Sequence, residues 1–148
     1  MEKIIDKDKC CGCLACVCVC PKNAINVIED ENGFKEPYID QSKCIDCKLC
    51  VNTCPRNKFE SYNSKTPKAY ACYSLDEEIR KNSSSGGLFP IIARYILNNN
   101  GTVYGAAIQN NIAKHIRINS LDDLELLMGS KYVQSDTNGI YEMVKEDL

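Results

Sequence analysis

Two short strings carry nearly all the soft, metal-seeking side chains of this sequence. The first, "KCCGCLACVCVCPKNAI", begins at Lys9 and sets six cysteines into eleven residues. The second, "KCIDCKLCVNTCPRNKF", begins at Lys43, 34 positions later. In that register Cys10, Cys13, Cys16, Cys20 and Pro21 fall on Cys44, Cys47, Cys50, Cys54 and Pro55. Each copy reads C-x2-C-x2-C-x3-C-P, a spacing that ligates iron–sulfur clusters.

The first string has one register that satisfies the pattern. Working back from Cys20 and Pro21, only Cys16, Cys13 and Cys10 fit, which leaves Cys11 and Cys18 over. Free cysteine behaves as a small hydrophobe, so these two are expected to be buried and inert. Three cysteines two residues apart let a tight loop wrap three corners of a cube. Gly12 and Asp46 occupy matching places where such a loop must curl. The fourth cysteine, before proline, starts a diverging segment and reaches the other cluster, as in bacterial two-cluster ferredoxins. The expected ligand sets are Cys10, Cys13, Cys16 and Cys54 for one [4Fe–4S] cluster, and Cys44, Cys47, Cys50 and Cys20 for the other. Zinc favours separated C-x2-C pairs over such triplets. Disulfides need an oxidising compartment.

The bulk composition narrows the setting. The chain has 148 residues, a formal net charge of −2 and eleven cysteines, ten of them between Cys10 and Cys54. The charge gives no sign of a nucleic-acid surface. No stretch approaches the roughly 20 apolar residues of a membrane span, and "MEKIIDKDKCCG" does not read as a signal peptide. A cytoplasmic location is expected. The composition divides the chain into a cysteine-rich domain, residues 1–64, and an ordinary globular part, residues 65–148, with a linker around Ser61 to Pro67.

The elements that must position the thiols are short. Leu14–Val19 and Lys48–Thr53 read as helical turns. "AINVIEDENGFKEPYI" reads as a hairpin with strands at Ile25–Glu29 and Phe34–Ile39 and a turn at "DENG". In a module this small the clusters serve as the core, so the metal-free protein should be largely unfolded. In the second part "KAYACYSL" alternates like a strand, with Cys72 packed in it, and "DEEIRKN" suits a short helix. A helix follows, with Leu88, Ile91, Ile92, Tyr95 and Ile96 at helical spacing, Pro90 in its first turn and Gly101 as a stop. "TVYGAAIQ" and "AKHIRIN" form a hairpin, and His115 reads as a strand-surface residue. "SLDDLELLMG" is a capped helix, "SKYVQS" a short strand and "NGIYEMVKEDL" a final helix. The expected fold class is α+β, a ferredoxin-like two-cluster module followed by a partial α/β domain.

The stretch "NSSSGG" at Asn82 has two readings. Hydroxyls and glycines at a helix start can hold a phosphate, or they can simply cap the helix. "YACYSLDEEIRKNSSSGGLF", "GTVYGAAI" and "GSKYVQSD" resemble the N-terminal part of the coenzyme F-420 hydrogenase/dehydrogenase beta-subunit family. With the fused ferredoxin part, the resemblance covers nearly the whole chain. It implies an iron–sulfur flavoprotein that passes electrons between clusters, FAD and a deazaflavin or another acceptor. It also turns Ser83, Ser84, Ser85, Gly86 and Gly87 into a flavin phosphate loop. Members of that family continue well past "VKEDL", so the resemblance implies an N-terminal fragment, catalytically incomplete, with FAD bound only by the full-length protein.

The expected function is an electron-transfer module, two clusters exchanging electrons with a flavin-dependent oxidoreductase domain or a redox partner protein. The alternatives are a stand-alone ferredoxin-type carrier, whose second half only binds a partner, and a structural role with the clusters as folding staples.

Overall fold

The computed structural model describes residues 3–57, 68–137 and 139–148. It divides into two compact units, Met1–Asn63 with Thr137–Glu142, and Ser64–Asp136 with Met143–Leu148. The expected linker at Ser61 to Pro67 lies outside the described residues.

In the first unit, helical turn α1 (Ala15–Cys18) follows the first string and α2 (Leu49–Thr53) lies in the second. Between them, β1 (Ile25–Glu29) pairs antiparallel with β2 (Lys35–Ile39), from Ile25 opposite Ile39 to Glu29 opposite Lys35. The second strand starts one residue later than the alternation predicts, because Phe34 closes the turn. Its backbone N–H and that of Asn32 donate to the Asp30 carboxylate at 2.8 and 2.9 Å. Gly33 supplies the left-handed residue at φ +79°. Only the far end of the hairpin is buried, where Ile25 and Ile39 join Ile4, Cys16 and Cys50 in one cluster. Cys20, Cys44, Cys54 and three valines pack against it. Thiols therefore make up much of this unit's apolar interior.

The repeat extends to the backbone. Gly12 and Asp46 have φ 63° and 52°, and Leu14 and Lys48 have φ 57° and 62°. Two left-handed residues per string turn the chain sharply around the cysteines. Cys20 N–H donates to Val17 and Cys54 N–H to Val51, while Asn23 N–H donates to Cys20 and Asn57 N–H to Cys54.

The second unit contains α3 (Glu77–Lys81), α4 (Leu88–Asn98), β3 (Val103–Gln109), β4 (Ile112–Ile118) and α5 (Leu124–Leu127). The helix α6 (Ile140–Asp147) ends the chain. Asp76 caps α3 by accepting from Glu78 and Ile79 N–H groups. Asn110 and Asn111, at φ 52° and 63°, make the two-residue turn that suits the twist of β3 and β4. Both sheets of the described residues are antiparallel pairs. The second half is thus α+β, and the parallel sheet of an α/β domain is not seen among these residues.

Several expectations are corrected. "KAYACYSL" forms no strand; its Ser74 N–H donates instead to the Gly86 carbonyl at 2.6 Å. Alternation makes a strand only where a partner edge is available. "SKYVQS" forms no strand either, and β4 instead gains a single parallel bridge from Lys114 to Asp136. The residue that ends α4 in the left-handed region is Asn100, at φ 58°. Gly101 closes the motif by donating to Ile96 at 2.9 Å, and a Cβ there would lie 2.6 Å from the Ile96 side chain. The buried face of α4 is Pro90, Ala93 and Leu97, whereas Leu88, Ile91, Ile92 and Tyr95 are exposed. The small Ala93 lets the helix approach the hairpin closely, in a core shared with Ala107, Ile118, Leu124 and Leu127.

Candidate iron–sulfur centre

The loops Cys10–Cys16 and Cys44–Cys50 each run through two left-handed residues into a helical turn, so their cysteines project from a tight curl. Cys16 and Cys50 are buried, and Cys10, Cys13, Cys20, Cys44 and Cys54 are half-buried. Cys47 is exposed. Backbone donors already face several sulfurs. Gly12 N–H points at Cys10 Sγ at 3.5 Å and Ala24 N–H at Cys20 Sγ at 3.3 Å.

The cysteines of the second expected set share one recess. Cys20, Cys44, Cys47 and Cys50 line one recess, walled by Pro21, Ala24, Ile25, Ile39, Ile45 and Leu49. This recess joins the last cysteine of the first string to the first three of the second. In the first set burial dominates the thiol electrostatics. Burial pushes the Cys16 thiol up to about 12, and the sulfurs of Cys13, Cys10 and Cys50 add to the rise. Cys13 is also raised, first by burial, with Cys11 and Cys54 adding and the Ala15 N–H opposing. Cys50 is raised by burial, with Cys20 and Cys47 adding. Cys20 and Cys50 also share the recess described above.

These thiols suit a soft metal. Left as thiols they resist ionisation, because burial penalises the charged form. A bound metal cation reverses that balance and deprotonates the sulfur outright. Among the described residues no three metal-ligating side chains gather tightly enough to share one ion.

Cys11 and Cys18 depart from expectation, for both are exposed. In the first string Cys10, Cys13, Cys16 and Cys20 are buried or half-buried, as are Gly12 and Leu14, so exposure singles out Cys11 and Cys18 among its cysteines. Cys72 is exposed and outside any strand. His115 sits in β4, half-buried, with Nδ1 3.0 Å from Ser135 Oγ.

The stretch Ser83–Gly87 lines an open recess of about 560 Å³ with Tyr70, Cys72, Met128 and Ser130. Gly87 at φ +81° is the N-cap of α4, and no side chain caps the first turn. The serines are engaged elsewhere. Ser83 Oγ donates to the Ile79 carbonyl at 2.7 Å, and Ser84 Oγ accepts from Ser130 N–H at 2.9 Å. Ser85 is exposed. Gly86 is required by space, since a Cβ would lie 2.5 Å from the Cys72 carbonyl oxygen.

Two residues near the cysteines carry no signal in the repeat. Thr137 Oγ1 and Tyr141 OH both donate to the Cys13 carbonyl, at 2.9 and 2.8 Å. They lie over a hundred positions from it, so no local spacing could have pointed to them.

Residues 9–58 match the family of the 4Fe-4S dicluster domain. The match spans both cysteine strings, and this segment is a ferredoxin-type, metal-binding iron–sulfur domain suited to electron transfer. No curated protein matches the chain. Among the described residues no helix is long and apolar enough to cross a membrane.

Proposed function

We propose that the chain is an electron-transfer module with two [4Fe–4S] clusters in crossed ligation. Cys10, Cys13, Cys16 and Cys54 hold the first, and Cys44, Cys47, Cys50 and Cys20 the second. The observation that carries this reading is the recess lined by Cys20, Cys44, Cys47 and Cys50. It unites sulfurs from both strings, as crossed ligation requires. When bound, the clusters supply one-electron redox chemistry. The protein's part is to supply thiolates, to aim N–H groups such as those of Gly12 and Ala24 at sulfur, and to exclude water with Ile25 and Ile39.

The proposal divides the chain into an iron–sulfur domain at residues 1–64 and a flavin-oxidoreductase part at residues 65–148. The second assignment rests on the resemblance to the coenzyme F-420 hydrogenase/dehydrogenase beta-subunit family. FAD is assigned to the recess lined by Ser83–Gly87. Its pyrophosphate would face the N–H groups of Leu88 and Phe89 at the start of α4, where Gly87 provides no side-chain cap. A cytoplasmic setting follows from the thiol chemistry.

One observation favours the carrier reading. The second loop is open, with Cys47, Ile45 and Leu49 exposed, as a surface that meets a redox partner would be. Anaerobic preparation decides between electron transfer and mere staples. About eight irons and eight sulfides per chain are expected, four of each per cluster, with reversible bleaching on reduction. Zinc in place of iron ends the reading. Clusters that bind but never reduce leave only the structural role.

A further inference from the structure

The repeat gives both strings the same left-handed turns, yet their surroundings differ within the first unit. Gly12 and Leu14 are buried, while the matching Asp46 and Lys48 are exposed. Cys13 is half-buried and the matching Cys47 exposed. The Cys13 carbonyl accepts from Thr137 Oγ1 and from Tyr141 OH, at 2.9 and 2.8 Å, both in partly buried surroundings.

A carbonyl oxygen has two lone pairs, and these two hydroxyls satisfy both. The peptide between Cys13 and Leu14 is planar and trans, so fixing its C=O also fixes the N–H of Leu14 on the opposite side, away from the hydroxyls. Hydrogen bonds at one end of an amide strengthen the donor at the other by about 10–30%. N–H groups aimed at cluster sulfur are a lever on cluster potential. We propose that Thr137 and Tyr141 are positioning residues for the first cluster. By clamping the Cys13–Leu14 peptide they make the two clusters unequal in potential and in ease of loss. This inference rests on the ligand reading above, in which Cys13 serves the first cluster.

The test uses the 148-residue chain reconstituted anaerobically with iron and sulfide, and a reductive titration followed by EPR. Two cluster signals are expected. Tyr141→Phe, which keeps the ring and removes the hydroxyl, should move one signal to lower potential and leave the other in place. Thr137→Val should move the same signal, and Thr137→Ser should restore it. The signal that moves should be the one lost in Cys13→Ser. In a chelator challenge, half of the iron in Tyr141→Phe should leave about 2- to 10-fold faster, the change carried by one neutral hydrogen bond. Equal movement of both signals, or movement of neither, overturns the clamp. Iron far below eight per chain in the unmutated protein fails the two-cluster reading instead, so the two failures are told apart.

Discussion

Leu14 and Lys48, at matching places in the two strings, hold almost the same left-handed backbone, φ 57° and φ 62°. Neither is the glycine that such a conformation favours, and each costs roughly 1–2 kcal/mol. Their burial is opposite, for Leu14 is 5% exposed while Lys48 lies on the surface. Lys48→Gly should therefore leave the loaded protein within about 1 kcal/mol of the parent, strain relief offsetting lost chain entropy. Leu14→Gly should cost about 2–4 kcal/mol, because a buried side chain disappears. Lys48→Val should destabilise by about 1–2 kcal/mol, since a β-branched residue fits this backbone poorly. The denaturant midpoint for loss of iron–sulfur absorbance reads all three.

Crossed ligation makes a sharp mutational statement. Cys20→Ser should damage the cluster bound by Cys44, Cys47 and Cys50, although Cys20 belongs to the other string. Cys11→Ala and Cys18→Ala should leave both EPR signals intact, as fits their exposure. Loss of a cluster in Cys18→Ala, with Cys20→Ser unaffected, would show the register to be wrong.

The hairpin turn should respond to acid. The N–H groups of Phe34 and Asn32 hold the Asp30 carboxyl below its ordinary value of 3.8, with a smaller contribution from Lys7. A depressed pKa means that the charged form is favoured in the fold. The stabilisation is present above about pH 4 and fades as pH falls through the folded value. Amide protection at Phe34 should decline over that range in the native protein. In Asp30→Asn it should be lower at neutral pH and flat through the same window.

The flavin assignment can be separated from folding. Gly86→Ala should cost about 1–3 kcal/mol through overpacking against the Cys72 carbonyl, so weaker FAD binding in that variant would say little about phosphate. Ser85 is exposed and lines the same recess. In the full-length protein, which alone is expected to bind FAD, Ser85→Asp should weaken FAD binding in a fluorescence titration while leaving riboflavin, which lacks the pyrophosphate, unaffected. Equal effects on the two ligands, or none, would return "NSSSGG" to a helix entry of purely structural use.

By itself, the sequence determined what depends on neighbours in the chain. The 34-residue repeat, the spacing of its cysteines and the turn at Asp30–Gly33 are all local, and local spacing sets backbone dihedrals and short hydrogen bonds. The buried and half-buried cysteines of the first string are Cys10, Cys13, Cys16 and Cys20, while Cys11 and Cys18 are exposed where burial was expected. Tertiary structure alone decided the long-range partners. It turned Pro90, Ala93 and Leu97 inward while Leu88, Ile91, Ile92 and Tyr95 face out, because helical spacing marks apolar residues without saying which ones find a surface small enough to close upon. It left "KAYACYSL" unpaired, since a strand exists only through another strand. It brought the hydroxyls of Thr137 and Tyr141 to the Cys13 carbonyl, a contact written in no motif, because a hydrogen bond between distant residues depends on how the chain packs and not on how its letters are spaced.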